Sequence, residues 1–480
     1  MATLVFVHGW SVTDTSTYGR MPEQLQQAAT AASTPLTLAD IWLSEYVSFD
    51  DSVTMNDLVR GFDHALRNLH LAGPDFACIT HSTGGPVVRE WLRAQRDEPG
   101  RCSTIRLTHL VMLAPANFGS ALAQLGKGGL GQLKSWLDGV EPGRRILAWL
   151  ELGSPESLSL NLDHIHGSDP AQHGLFQFVL TGDRPDRRFY DHLNSYTGED
   201  GSDGVVRIAA ANLNARHAVL AVQGDATGRE DELSLTLVRG PRCAFKLIAG
   251  ASHSGERHGI LASAAAPTVA TILRCLRVRD AAGYARLCQA FERENARRDE
   301  DRVEFEPAGP FAPRVHIHDP RSLVIVRLGD EAGHPLGGAG CLLTAGPQAS
   351  PDLMPQGFML DRQNNTRARN TVSLFLNYSR LAGGARVPDP RNARRTLRPA
   401  LASHRPYGAI VHPADLQGLV HHALARNRPG DDLFDMLGPH QTTVLDVVLP
   451  RKIHEGVFRL TRKLAPEDFS DVIAGPVIGH

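Results

Sequence analysis

The sequence predicts an α/β chain: a doubly wound, mostly parallel sheet with a helical lid insertion, followed by a smaller, mostly-β, sandwich-like domain. Three observations carry this expectation. Short apolar runs alternate with helical patterns through the first half of the chain. The alternation gives way near residue 294 to the charged stretch "ENARRDEDRVEFEPAGPFAPR". Beyond it, strand-like runs separated by Gly, Pro and Asp fill most of what is left. With 480 residues, the chain exceeds what one hydrophobic core usually serves, which fits two domains.

In the first half, Leu4–Val7, Phe76–Thr80, Leu107–Leu113, Phe176–Leu180 and Phe245–Ile248 read as strands buried on both faces of a parallel sheet. Between them, Met55–Leu69 places Leu58, Phe62, Ala65, Leu66 and Leu69 at helical spacing. This α/β domain is expected over residues 1–280. Residues 120–174 are longer than a simple crossover needs and read as a lid over one end of the sheet. A helix and linker are expected over 281–312 and the mostly-β domain over 313–480. Its strand candidates are "SLVIVRL", "GCLLTAG", "TVSLFLNYS", "YGAIVH", "TTVLDVVLP" and "GVFRLTRK", with one helical stretch near Leu416–Arg426.

Composition narrows the function. The 50 basic and 52 acidic residues nearly cancel, which argues against nucleic acid as a partner. The six cysteines stand in no metal-binding spacing and suggest reduced thiols. "MATLVFVHGW" lacks the basic n-region of a signal peptide, and no window is apolar enough to span a membrane. Synthesis in the cytoplasm is expected.

The chemistry concentrates in four segments. In "FACITHSTGG" a buried strand turns into a helix at Ser82, a geometry that exposes one side chain at the carboxyl end of the sheet. Gly84 and Gly85 let the helix and strand backbones approach, and Pro86 falls in the first helical turn, where a missing N–H costs little. A serine that merely caps the helix is the bland alternative. "LVFVHGW" ends a strand in a flexible turn whose Trp10 amide, with that of Thr83, suits an oxyanion, each donor worth roughly 3–4 kcal/mol. Downstream, "GEDGSDGVV" sets Asp203 in a glycine-bounded turn and "FKLIAGASHSG" sets His253 after a strand. A serine nucleophile needs such a base and such an orienting carboxylate. Asp183, also just after a strand, is the alternative acid, and His258 the alternative base.

Taken together, "VFVHGW", "THSTGG", "LVMLAPANFGS" and "SDGVV" resemble the lipase and phospholipase branch of the α/β-hydrolase superfamily. They are similar to bacterial lipases, to the lecithin:cholesterol acyltransferase group and to GPI-inositol-deacylase-like proteins. The likeness covers about residues 2–270. It implies Ser82 as nucleophile, Asp203 as acid, His253 as base and Trp10 and Thr83 as amide donors. The first glycine of the usual G-x-S-x-G pattern is here Thr80. The resemblance extends to lipase-like type VI secretion effectors, and so implies signal-independent export of a protein that attacks phospholipid.

Weaker signals complete the reading. "LDHIHGSD" gathers Asp163, His164, His166 and Asp169, a conceivable metal site better read as a polar lid loop, so no metal is expected. "GKGGLG" lacks the spacing of a phosphate loop and reads as a joint of the lid. Leu130, Leu133, Trp136, Leu137, Ile146, Leu147, Trp149 and Leu150 either open at a lipid surface or pack on the sheet. The basic run "RVPDPRNARRTLRPA" reads as surface charge, with anionic lipid as its alternative contact. The expected activity is serine-dependent hydrolysis of carboxylic esters, acyl esters of lipid foremost, with no cofactor. Its rivals are a soluble esterase or acyltransferase and, last, a catalytically silent interaction protein. Transient membrane-surface contact and a protein partner for the C-terminal domain complete the expectations.

Overall fold

A computed structural model describes residues 3–8, 18–32, 36–48, 50–69, 71, 75–100, 102–126, 143–184, 200–222, 232–254, 258–262, 266–300, 303–308, 311–414 and 419–453. The first strands are β1 (Thr3–His8), β2 (Thr37–Trp42), β3 (Asp75–His81), β4 (Arg106–Leu113) and β5 (Phe176–Gly182). A hairpin, β6 (Arg216–Ala221) and β7 (Glu232–Arg239), precedes β8 (Ala244–Ile248). Six of these strands form one sheet, ordered β2-β1-β3-β4-β5-β8 and parallel throughout.

Apolar side chains on both faces are what a doubly covered sheet requires. Val5, Val7 and Cys78 point to one side, Leu4, Phe6, Ala77 and Ile79 to the other. The first side is covered by α2 (Met55–Asn68) and α3 (Gly84–Asp97), once α1 (Met21–Ala31) has crossed to the second. α2 begins at a capping box in which Thr54 and Asp57 satisfy each other's backbone N–H, a device worth about 1 kcal/mol. Trp91 of α3 is fully buried, donates from Nε1 to Asp63 Oδ1 at 2.9 Å and meets Phe62 edge-on at 5.5 Å.

Two further helices, α4 (Arg144–Leu150) and α5 (Pro155–His166), lie where a lid was expected. Ile146, Leu147, Trp149 and Leu150 are buried in the core shared with α2 and α3, so this half of the segment packs rather than opens. Leu130, Leu133, Trp136 and Leu137 lie outside the described residues. On the other face, α6 (Ala266–Leu276) and α7 (Ala281–Glu300) contribute Ile272, Cys275, Tyr284 and Phe291. Asn295 of α7 accepts from Leu247 N (3.1 Å) and donates to Phe245 O (2.9 Å), so its amide occupies the free edge of β8 as a neighbouring strand would. Of the helix and linker expected over 281–312, the helix is α7, and the stretch after it continues into a ribbon of β9 (Val303–Ala308) and β10 (Phe311–Ile317).

The mostly-β part follows with β11 (Arg321–Asp330), β12 (Gly340–Ala345), β13 (Met359–Asn364), β14 (Thr371–Asn377), β15 (Val387–Asp389) and β16 (Asn392–Arg398). Then come β17 (Tyr407–His412), β18 (Val420–His422), β19 (Ala425–Asn427), β20 (Thr442–Leu449) and β21 (Arg451–Ile453). The helical stretch expected near Leu416–Arg426 is corrected by β18 and β19: there, pairing with β21 and β17 overrides a helical pattern. "GVFRLTRK" lies outside the described residues.

Nine strands make one mixed sheet, ordered β12-β17-β19-β7-β6-β20-β11-β14-β13. Its middle holds the hairpin β6–β7, contributed by the chain between Asp203 and β8. β6 runs parallel to β20, and β7 parallel to β19. A chain-order boundary near residue 280 therefore does not separate the two sheets. The large sheet also faces two ways: Leu323, Ile325 and Val444 enter the core of the α/β part, while Val324, Val326, Leu445 and Val447 form a core of their own. Among the described residues no helix is long and apolar enough to cross a membrane, and all six cysteines are free.

This interlock has a consequence for truncation. A chain ending at residue 312 would leave β6 and β7 as a lone hairpin with two exposed edges, which is marginal in water and prone to aggregate. We expect it to give no soluble product with a cooperative unfolding transition. A soluble product with one sharp calorimetric transition would contradict the interlock.

Candidate active site

Ser82 stands between β3 and α3 with φ of 52°, in the left-handed region that a non-glycine residue enters only under constraint. Three hydrogen bonds hold it there. Its N–H donates to Leu113 O at 3.0 Å, and its carbonyl accepts from Gly85 N at 3.2 Å and Ala116 N at 3.4 Å. The turn presses α3 against the loop after β4: a Cβ on Gly85 would lie 2.9 Å from Pro115 Cβ. On Gly84 it would meet only ordinary contacts, the nearest being Thr80 Cβ at 3.4 Å. Thr80 is fully buried and fits without displacing that glycine.

His253 reaches this turn from the loop after β8. Its Nε2 is 3.1 Å from Ser82 Oγ and its Nδ1 is 3.0 Å from Asp203 Oδ2. His253 and Asp203 are buried and Ser82 is half-buried. Asp203 occupies the tip of a closed hairpin over residues 201–208. Ser202 bridges Arg207, and Asp203 N donates to Val206 O at 3.2 Å. Gly201 and Gly204, at φ of 86° and 99°, make the tight turn affordable in an L-chain. The second carboxylate oxygen accepts from Val205 N (3.0 Å) and Val206 N (2.8 Å). The carboxylate is thus bound on both oxygens, which fixes its plane, and His253 N donates to Asp203 O at 2.9 Å to fix the two backbones.

The other expected residues take different places. Asp183 accepts from Gly250 N at 2.7 Å and pairs with Arg298 of α7, so it braces the loop after β8 instead of reaching His253. His258 has an exposed side chain, while its carbonyl accepts from Ser252 N at 2.8 Å. Thr83 is the residue before α3. Trp10 lies outside the described residues.

Sequence reading missed the supports around these three side chains. His81 Nε2 donates to His253 O at 3.1 Å, and the two imidazoles pack with centroids 4.8 Å apart. Arg89 of α3 is buried without a carboxylate bonded to it; burial lowers it to about 10, and Asn117 and Asn161 accept from it at 3.1 and 3.0 Å. Asn117 in turn donates to Ala211 O at 2.7 Å, and Ser120 Oγ to Val205 O at 2.6 Å. The loop after β4 therefore ties the Ser82 turn to the Asp203 hairpin. Nothing in the sequence marks Arg89 or Asn117 for this role, because it is their burial and mutual hydrogen bond that define it.

The cluster "LDHIHGSD" does not converge. Asp163 pairs with Arg96, Asp169 caps the turn that follows, and His166 Nε2 meets His217 Nδ1 at 2.7 Å. Burial pushes His164 down to about 3, keeping it a neutral imidazole in the fold. Among the described residues, no group of three or more His, Cys, Asp or Glu is placed to hold a metal ion. Most of "GKGGLG" lies outside the described residues, and the basic run of 386–400 forms the β15–β16 ribbon.

No family model matches the chain, and no curated protein does. Among solved structures, phospholipase PlaB from Legionella pneumophila matches at 37% identity with a TM-score of 0.83, over 98% of each chain. A second structure of that phospholipase, in complex with thio-NAD, matches at 36% identity and TM-score 0.83 over 100% of each. The chain belongs to the lipase and phospholipase branch of the α/β-hydrolase superfamily. Membership makes it a carboxylic ester hydrolase. Within the chain itself, the strained Ser82 turn is backed by the close packing of Gly85 against Pro115.

That packing is testable through the two glycines. Gly85→Ala forces Pro115 or the helix to shift and should cost about 1–3 kcal/mol, lowering the thermal midpoint and the hydrolytic rate. Gly84→Ala should leave both near wild type. Equal effects of the two substitutions in thermal unfolding would contradict the packing described.

Proposed function

We propose that the chain hydrolyses acyl esters of lipids, phospholipids foremost, with Ser82 as nucleophile, His253 as base and Asp203 as the orienting carboxylate. The observation that carries this reading is the unbroken hydrogen-bonded line from Ser82 Oγ through both nitrogens of His253 to Asp203 Oδ2. The family supports the ester chemistry, and the phospholipase relative supports the substrate class.

In this mechanism Ser82 Oγ attacks the ester carbonyl carbon as its proton passes to His253 Nε2. Asp203 holds Nδ1–H, so the free Nε2 faces the serine, and its negative charge stabilises the imidazolium. The carbonyl oxygen, now an oxyanion, is held by the amides of Thr83 and Trp10. Collapse of the intermediate breaks the ester C–O bond, and His253 returns the proton to the leaving alcohol. Water then attacks the acyl-enzyme with His253 again as base, releasing the fatty acid and restoring Ser82. The oxyanion donors follow from the turn geometry at Thr83 and from the resemblance at Trp10.

Fatty-acid release from phosphatidylglycerol vesicles and from short-chain esters tests the reading. Ser82→Ala should lose about 10⁴-fold or more in kcat on both substrates, with vesicles the better substrate of the wild type. A Ser82→Ala enzyme as active as wild type would overturn the nucleophile, and a preference for the shortest soluble esters would favour a soluble esterase.

A further inference from the structure

The strands that follow the α/β part close over the Asp203 hairpin from outside, and one buried ion pair crosses that seam. Arg207 stands at the base of the hairpin, bridged to Ser202 on the opposite arm. Only 1% of Arg207 is exposed. Its Nη2 donates to Asp361 Oδ2 of β13 at 2.5 Å, and its guanidinium lies over the Phe375 ring of β14, 4.2 Å from the centroid. β14 and β13 end the nine-stranded sheet on that side.

We infer that Arg207, gripped by Asp361 and Phe375, is a positioning residue for Asp203, and that the accessory sheet is thereby a working part of the active site. The inference rests on the reading of Asp203 as the orienting carboxylate. A hairpin of eight residues has no core of its own to fix its tip. Its apolar members Val205, Val206 and Ile208 share a cluster with Leu323, Ile325 and Val444 of the accessory sheet. Those contacts set the depth of the hairpin but not its twist about the strand axis. The Arg207 fork supplies that second restraint, because a planar guanidinium bonded at one end and stacked on a ring is fixed in direction. Backbone bonds carry the restraint to the tip: Ser202 and Arg207 pair across the arms, Ile208 N donates to Gly201 O at 3.0 Å, and Asp203 N donates to Val206 O. A twist of the base therefore turns the carboxylate plane relative to His253.

The test uses the full chain and double-mutant cycles. Asp361→Asn should lower kcat on phospholipid vesicles by tenfold or more with KM changed less than threefold, at a temperature where thermal unfolding shows the variant folded. In an Asp203→Asn background the same substitution should add less than twofold, because both act on one carboxylate. If Asp361→Asn does not fold, Phe375→Leu, which removes the stack but keeps the ion pair, is carried through the same two backgrounds with the same expectation. Losses that multiply across the backgrounds, or a kcat unchanged by either substitution in folded protein, would overturn the inference. Asp203→Asn measured alone separates the two readings: if it retains wild-type kcat, the assignment of Asp203 itself fails. If it loses activity while Asp361→Asn and Phe375→Leu do not, only the role of Arg207 fails.

Discussion

The carboxylate of Asp203 is buried at the seam between two sheets, and much of the structure follows from holding it there. A buried carboxylate without hydrogen-bond partners would be costly. Asp203 meets this requirement with two backbone amides on one oxygen and an imidazole on the other. Such an arrangement works only if the hairpin carrying those amides does not flex. Neither sheet supplies that stiffness alone. The α/β part contributes the loop after β4, through Ser120 and Asn117, and the accessory sheet contributes Leu323, Ile325, Val444 and the Arg207 pair.

The same constraint gives the interlocked topology a reason. The chain leaves the Asp203 hairpin, adds β6 and β7 to the middle of the accessory sheet, and returns to complete the first sheet with β8. The chain between Asp203 and His253 thus runs through both sheets, β6 and β7 in one and β8 in the other. Strain at Ser82 is sustained in a similar way: its positive φ persists because Leu113, Gly85 and Ala116 bond its backbone while Pro115 packs behind it. Ser82, His253 and Asp203 are each held by backbone hydrogen bonds as well as by one another.

Much of the first sheet is legible in the sequence, since Val5, Val7, Cys78 and their neighbours form continuous apolar runs that only a doubly covered strand needs. β6 and β7 escape that criterion. "RHAVLA" mixes buried with half-buried positions and "ELSLTLVR" adds exposed ones, because these strands lie in a sheet with partly open faces. Their position between Asp203 and His253 also suggests the wrong sheet, and only long-range pairing with β20 and β19 decides it. The stretch after Leu416 misleads for the same reason, as pairing outweighs local pattern. Of the candidate site, Ser82, Asp203 and His253 could be named from turn chemistry and chain order, and the structure brings those three together. Arg207 could not, because a lone arginine after a turn is ordinary until its burial and the partner 154 residues away are seen.

Hydrogen exchange at the amides of Val205 and Val206 is the most direct test of a hairpin locked between two sheets. Both amides are bonded to Asp203 Oδ1, so they exchange only when the hairpin opens. Protection close to that of β4 and β11 is expected, with exchange requiring the global unfolding of both layers. Exchange within minutes under native conditions, as from a surface loop, would contradict it.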